Sequence, residues 1–258
     1  MSFCWLESLY QIDITNALAA VILSQTYVNP TSKFLEVTYS FPIPPKTCIH
    51  RFVASFGQTR IEGQVREKEQ ARKEYQEAVG QGRKAAYGEV DADSKDILNM
   101  KIGNIPPKER VTVEVCYLQE LTLSHSTFYE FRMATGIHPR YIGHLPDHLL
   151  RDSFASRLVE EKVQFFWDLR VTIRSSKKVV FHRSPSHSLR VLSQNDAQTE
   201  LGLTLEEGTF LHKDFVLDYT TDNHHLPSST FGRTDASCTA MLSFIPKFSD
   251  LKLSAAYV

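Results

Sequence analysis

A chain of 258 residues is long enough to bury a large core, either as one big β-sandwich or as two smaller domains, and two are expected here. With 29 Lys and Arg against 30 Asp and Glu, the formal net charge is -1, which excludes the global positive field that draws a protein to nucleic acid or acidic membranes. Met1 to Tyr10 has no basic n-region and no small-residue cleavage site, and no apolar run is long enough to cross a bilayer, so an intracellular, cytoplasmic protein without membrane insertion is expected. Cys4, Cys48, Cys116 and Cys238 are far apart and form no Cys-x-x-Cys pair. That spacing speaks against a structural zinc site and against a disulfide scaffold, and predicts reduced thiols lying mostly in strands.

Taken in chain order, the predicted elements are strands with one interruption. Asn29-Pro30 signals a turn. Pro42, Pro44 and Pro45 restrict the apolar Phe41 and Ile43 to a strand edge or end, because proline cannot donate to a ladder. From Arg66 to Val79 the chain is charged and rich in helix formers, with Ala71, Tyr75, Ala78 and Val79 at helical spacing on one side. Gly80 and Gly82 end this helix, and Tyr75 is expected to anchor its narrow stripe against the sheet edge or open end. Gly103-Asn104 and Pro106-Pro107 predict a tight turn feeding a strand at Val111, Val113, Val115 and Tyr117. Strict alternation then marks Val163, Phe165, Trp167, Leu169, Val171 and Ile173 as a long antiparallel strand. Leu201, Leu203 and Leu205 continue the pattern, as do Phe215, Leu217 and Tyr219, and then Ala240, Leu242 and Phe244. The polar stretch Thr220 to Thr234 is the best candidate for a mobile loop. Many short strands separated by turns imply a sandwich or open barrel and not a βαβ sheet.

Four ordered motifs together resemble the VIT domain, the vault protein and inter-α-trypsin inhibitor domain. Tyr39-Ser40-Phe41-Pro42-Ile43-Pro44 resembles its Tyr-x-Phe-Pro-Leu-Pro segment, followed by the apolar-Gly turn Phe56-Gly57. Gly63, Val65, Glu67, Ala71, Tyr75, Ala78 and Gly82 fall where that family has its Gly-x-x-x-Glu helix. Gly103-Asn104-Ile105-Pro106-Pro107, with the strand through Tyr117, resembles its Gly-Asn-Ile-x-Pro turn, and Pro139-Arg140-Tyr141 its closing motif. Beyond these, Ser184-Pro185-Ser186-His187, Asp214 to Leu217 and Ala240 to Phe244 resemble the β-rich linker of intracellular VIT–von Willebrand A proteins. The resemblance implies a mainly β protein, an antiparallel β-sandwich with one inserted amphipathic helix, followed by a further antiparallel β-rich segment. It implies a VIT domain over residues 1–143, the β-rich segment over 144–250 packing on or beside it, and the start of a von Willebrand A domain over 251–258. Each motif also has a structural reason in turn glycines and strand prolines, so these residues are expected to serve the fold. Arg140 is expected to bridge sheet carbonyls or to pair with Glu67, Glu69, Glu74 or Glu77.

No catalytic, cofactor-binding or metal-binding residue is expected. Gly80-Gln81-Gly82-Arg83-Lys84-Ala85 spells a dinucleotide fingerprint at the wrong end of a helix, since the phosphate loop must follow a strand and open a helix. Asp235-Ala236-Ser237-Cys238-Thr239 imitates the Asp-x-Ser-x-Ser metal motif but leads into a strand instead of leaving one. His224-His225 and the pair His182 and His187 lack convergent ligands in sequence. The expected function is a non-catalytic protein–protein interaction or scaffold module with protein partners and no nucleic acid. The alternatives are purely structural support for a von Willebrand A domain, or a hydrolase whose site is assembled only in the fold.

Overall fold

The structure, a computed structural model, describes residues 4–63, 68–90, 97–125, 127–134, 166–209 and 213–246. Its elements in order are β1 (Cys4–Thr15), β2 (Leu18–Val28), β3 (Leu35–Pro42), β4 (Thr47–Phe56), β5 (Thr59–Glu62), α1 (Lys68–Gly80), β6 (Ala85–Val90), β7 (Ile97–Ile105), β8 (Arg110–Glu120), β9 (Thr122–Ser124) and β10 (Phe128–Met133). There follow β11 (Phe166–Arg174), β12 (Val179–Arg183), β13 (Leu189–Gln194), β14 (Glu200–Leu205), β15 (Phe215–Thr221), β16 (Ser228–Arg233) and β17 (Cys238–Ser243). The mainly β architecture with one inserted helix is the expected one.

An eight-stranded sheet, ordered β13-β14-β11-β1-β2-β8-β4-β5, forms one layer. Facing it are a three-stranded sheet, β3-β7-β6, and a four-stranded sheet, β12-β15-β10-β9. One continuous apolar core joins all three, with Val111, Val113, Val115 and Tyr117 of β8 contributing from the long sheet, Met100 and Ile102 of β7 from the second, and Phe131 and Tyr219 from the third. Period-2 alternation produces this core directly, because alternate side chains of a strand share a face.

The long sheet is built from both halves of the chain. Strand β11 runs parallel to β1, pairing Ile12 with Val171 and Ile14 with Ile173, and antiparallel to β14. It is the one parallel pairing among the described strands, and period-2 spacing carries no information about strand direction. Asn16, at φ 51°, secures this junction. Its backbone N–H donates to Arg174 O, its carbonyl accepts from the Tyr219 hydroxyl, its Oδ1 accepts from Ser176 N–H and its Nδ2 reaches Thr230 Oγ1.

Other expectations are corrected by packing. All seven residues of β15 are buried, so Thr220 and Thr221 belong to a covered strand, while Ser228 to Arg233 form β16; the polar stretch is not one loop. Gly103 and Asn104 lie inside β7, and the turn comes later, at Lys108 with φ 60°. Gly80 is the last residue of α1, and Gly82, at φ 73°, alone takes the left-handed position. There Gly82 N–H bonds Val79 O and Arg83 N–H bonds Ala78 O, the paired bonds of a Schellman cap. Expected features at Glu67, Pro139, Arg140, Tyr141, Val163, Phe165 and 251–258 lie outside the described residues.

Candidate interaction surfaces

The helix α1 lies on the outer face of the three-stranded sheet, and the motif residues explain why it fits there. Tyr75, Ala85 and Tyr87 form a small buried cluster, packed by Ala71, Ala78 and Val79; the Tyr75 and Tyr87 rings are 5.9 Å apart. A Cβ on Gly103 would stand 2.6 Å from Val79 Cγ2 and 2.9 Å from the Tyr75 hydroxyl, so glycine is required by the helix above it. Asn104, at φ 57°, turns its amide onto the end of α1, donating to Val79 O and Arg83 O at 2.9 Å each. Arg72 Nη2 grips Glu89 at 3.0 and 3.2 Å, and the Tyr87 hydroxyl donates to the same carboxylate. Burial, and then the Glu36 carboxylate, push the Tyr75 phenol pKa up.

The remaining motif residues that are described sit apart from this cluster. Phe41 is buried at the end of β3 with its ring 5.6 Å from Tyr117. Pro42 closes that strand, which is an edge strand as proline demands, and Pro44 is buried just beyond it. Gly63 N–H bonds Phe52 O at 2.8 Å. Pro107 stands in the turn before β8.

Between the end of the long sheet and α1 with β6 lies a cleft of about 800 Å³. Its apolar wall includes Ile49, Phe52, Ile61, Leu98 and Met100; its rim carries Arg51, Glu62, Glu74, Lys84 and Glu89. Most of those charges are already engaged. Arg51 Nε holds Glu62 at 3.0 Å and its Nη1 holds Glu114 at 3.1 Å, while Lys84 Nζ lies over the Phe56 ring and reaches Phe56 O.

A second surface was missed in the sequence. Strands β16 and β17 form a two-stranded sheet of their own, pairing Phe231 with Ala240 and Ser229 with Leu242. The alternation around Ala240, Leu242 and Phe244 is real, but it faces water: Phe231 is 69% exposed, Leu242 72% and Phe244 60%. Met241, on the opposite face, is the one that packs on the core. The only available signal was Phe231, an aromatic in a polar stretch whose register pairs it with Ala240.

A third hollow, of about 450 Å³, surrounds the Ser-Pro-Ser turn with His182, His187 and Glu206. Its hydroxyls are committed to holding the chain: Ser186 Oγ accepts Val216 N–H at 2.8 Å and contacts His187 Nδ1 at 2.8 Å, and Ser184 Oγ accepts His187 N–H at 3.1 Å. Burial lowers the His182 pKa. Among the described residues no group of His, Cys, Asp or Glu is arranged to hold a metal ion. Asp235 and Ser237 fall in the turn between β16 and β17, where the Ser237 hydroxyl contacts Thr234 Oγ1 at 2.8 Å.

Compared with known proteins, residues 7–117 match the model of the vault protein inter-alpha-trypsin domain, VIT. Residues 7–117 are a VIT domain. Over 241 residues the chain is 30% identical to the mouse protein mono-ADP-ribosyltransferase PARP4, covering 92% of this chain and 12% of that protein. It is 26% identical over 261 residues to mouse von Willebrand factor A domain-containing protein 5A, covering 95% of this chain and 32% of the relative. A von Willebrand factor A domain-containing protein of Dictyostelium discoideum is 23% identical over 81% of this chain and 21% of its own length. The VIT-domain chain thus spans about a third or less of these relatives, and the transferase activity in the first name is that protein's own. In the VIT domain itself the cleft, α1 and its cradle all fall within the matched residues, whereas the exposed hairpin lies beyond them. No helix among the described residues is long and apolar enough to cross a membrane.

Proposed function

We propose that the chain is a non-catalytic protein–protein interaction module that works inside the cell, and that it meets its partner through the β16–β17 hairpin. The observation that carries this is the exposed apolar face of Phe231, Leu242 and Phe244. Soluble proteins seldom leave large apolar side chains clustered in water, and covering each releases roughly 1.5–3 kcal/mol. A two-stranded sheet alone is marginal in water, which adds to the gain from covering it. The free thiols of Cys48, Cys116 and Cys238 fit a reducing compartment. In this reading the VIT motif residues hold the fold, and the division at residues 143 and 250 marks a second segment packed beside the first, supported by the β1–β11 pairing.

A structural reading has one observation in its favour: the relatives are several times longer than this chain, so the hairpin would seat on another part of the same polypeptide. Affinity capture separates the two readings. The protein should retain specific partners from a cell extract, and Phe231→Ser with Leu242→Ser should lose them at an unchanged melting temperature, because both side chains are exposed. An identical partner set from the double variant would remove the hairpin from the account. Turnover of ester or phosphate substrates that His187→Ala abolished would contradict the non-catalytic reading.

A further inference from the structure

The cleft in the VIT domain has a geometry of its own. Five consecutive residues of β6, Ala85 to Glu89, line it. Side chains of a strand alternate between faces, so a cavity touching every residue in turn must run along the strand's edge and meet its backbone. Strand β6 is the last strand of its sheet, with β7 its one partner among the described strands. Across the cleft, Ile49 to Phe52 of β4 also line it consecutively. There β5 is only four residues long and pairs with β4 from Val53 to Phe56, leaving the earlier half of β4 uncovered on that side by any described strand.

The edge of β6 and the part of β4 before Phe52, neither covered there by a described strand, face one apolar cleft and form a receptor for backbone as much as for side chains. We propose that this cleft takes up an extended peptide segment of a partner protein, which adds to the edge of β6 as a further strand. Alternate side chains of the segment would enter the sandwich against Phe52, Leu98 and Met100, so every second residue must be apolar. Those between would face Tyr75, Tyr87 and Glu74. Whereas Glu62 and Glu89 each hold an arginine at 3.0 Å, Glu74 accepts only the Gln70 amide, at 2.8 Å, and has no ion pair among the described residues. Charge complementarity therefore places a lysine or arginine on the outward side of the segment.

The proposal extends the interaction reading to a second surface, so failure at the hairpin and failure at β6 are read separately. Isotope-labelled protein would be titrated with a pool of capped octapeptides alternating Val or Ile with Thr or Lys. Strand addition should slow hydrogen exchange roughly tenfold or more at every second amide of β6, those not paired with β7. Glu74→Lys should raise the Kd for the pool about threefold and lower it about as much for a matched pool carrying Glu in place of Lys. Absence of protection at β6 in millimolar peptide would overturn the proposal, as would peptide-induced protection confined to β16 and β17. Protection that grows with protein concentration alone would assign the edge to a second copy of the chain instead. An unchanged Kd for both pools on Glu74→Lys would overturn the basic requirement.

Discussion

Replacing Asn29 by alanine should lower stability by about 2–4 kcal/mol, more than a turn residue beside a proline would suggest. Asn29 is fully buried. Its amide donates to Lys33 O at 2.8 Å, Ile105 O at 3.1 Å and Pro106 O at 2.9 Å, while its Oδ1 accepts from the Thr31 backbone and hydroxyl. Its own backbone exchanges bonds with Lys108 and Glu109. One side chain therefore ties the loop after β2 to the loop before β8. Alanine would leave buried carbonyls without donors, and Asn29→Asp should be worse near neutral pH, because a carboxylate would face three carbonyl oxygens. Denaturant titration should show a lower midpoint at an unchanged slope. A loss below about 0.5 kcal/mol, the size of an ordinary surface substitution, would mean that these bonds are replaced by water at no cost.

Tyr75→Ala should release α1 from its sheet. The phenol ring is 7% exposed and stands over Gly103 beside Tyr87, and truncating a buried aromatic costs about 3–5 kcal/mol. Because its cluster is separate from the main core, the loss should appear first as faster hydrogen exchange across Lys68–Gly80, with a lower melting temperature. Glu74→Ala, one residue away and exposed, should stay within about 0.5 kcal/mol. Gly103→Ala attacks the same contact from below and should cost about 1–3 kcal/mol by overpacking. The two changes should not add, since removing the tyrosine removes one of the atoms the new methyl would strike. Equal, small effects at Tyr75 and Glu74 would mean that the helix is solvated rather than docked.

What the sequence showed well is what local periodicity encodes. Val111, Val113, Val115 and Tyr117 alternate and are all buried, and so are Leu169, Val171 and Ile173. The stripe through Ala71, Tyr75, Ala78 and Val79 found both the helix and its anchor. The failures come from partners far away in the chain. Gly103 reads locally as a turn glycine, and its real constraint is a helix more than twenty residues earlier. Asp218 and Thr220 look like the wet side of β15, yet both are buried, because that strand is covered on two faces. Leu242 and Phe244 carry a core-like rhythm, but which face of a hairpin meets the core depends on register and docking, here set by Asn16 and Met241. The cleft was hidden for the same reason: an open strand edge is a property of a sheet, not of the Ala-Ala-Tyr-Gly-Glu segment that forms it.

The central claim, that this chain works by binding another protein through its exposed hairpin, is tested most directly by photo-crosslinking in cells. A benzophenone-bearing residue would replace Leu242 in the longest natural chain that contains this sequence, with the same residue at exposed Glu207 as control. Irradiation should give discrete adducts to another protein from position 242 and none of the same mass from position 207. Adducts confined to the same polypeptide, or none that differ from the control, would contradict it.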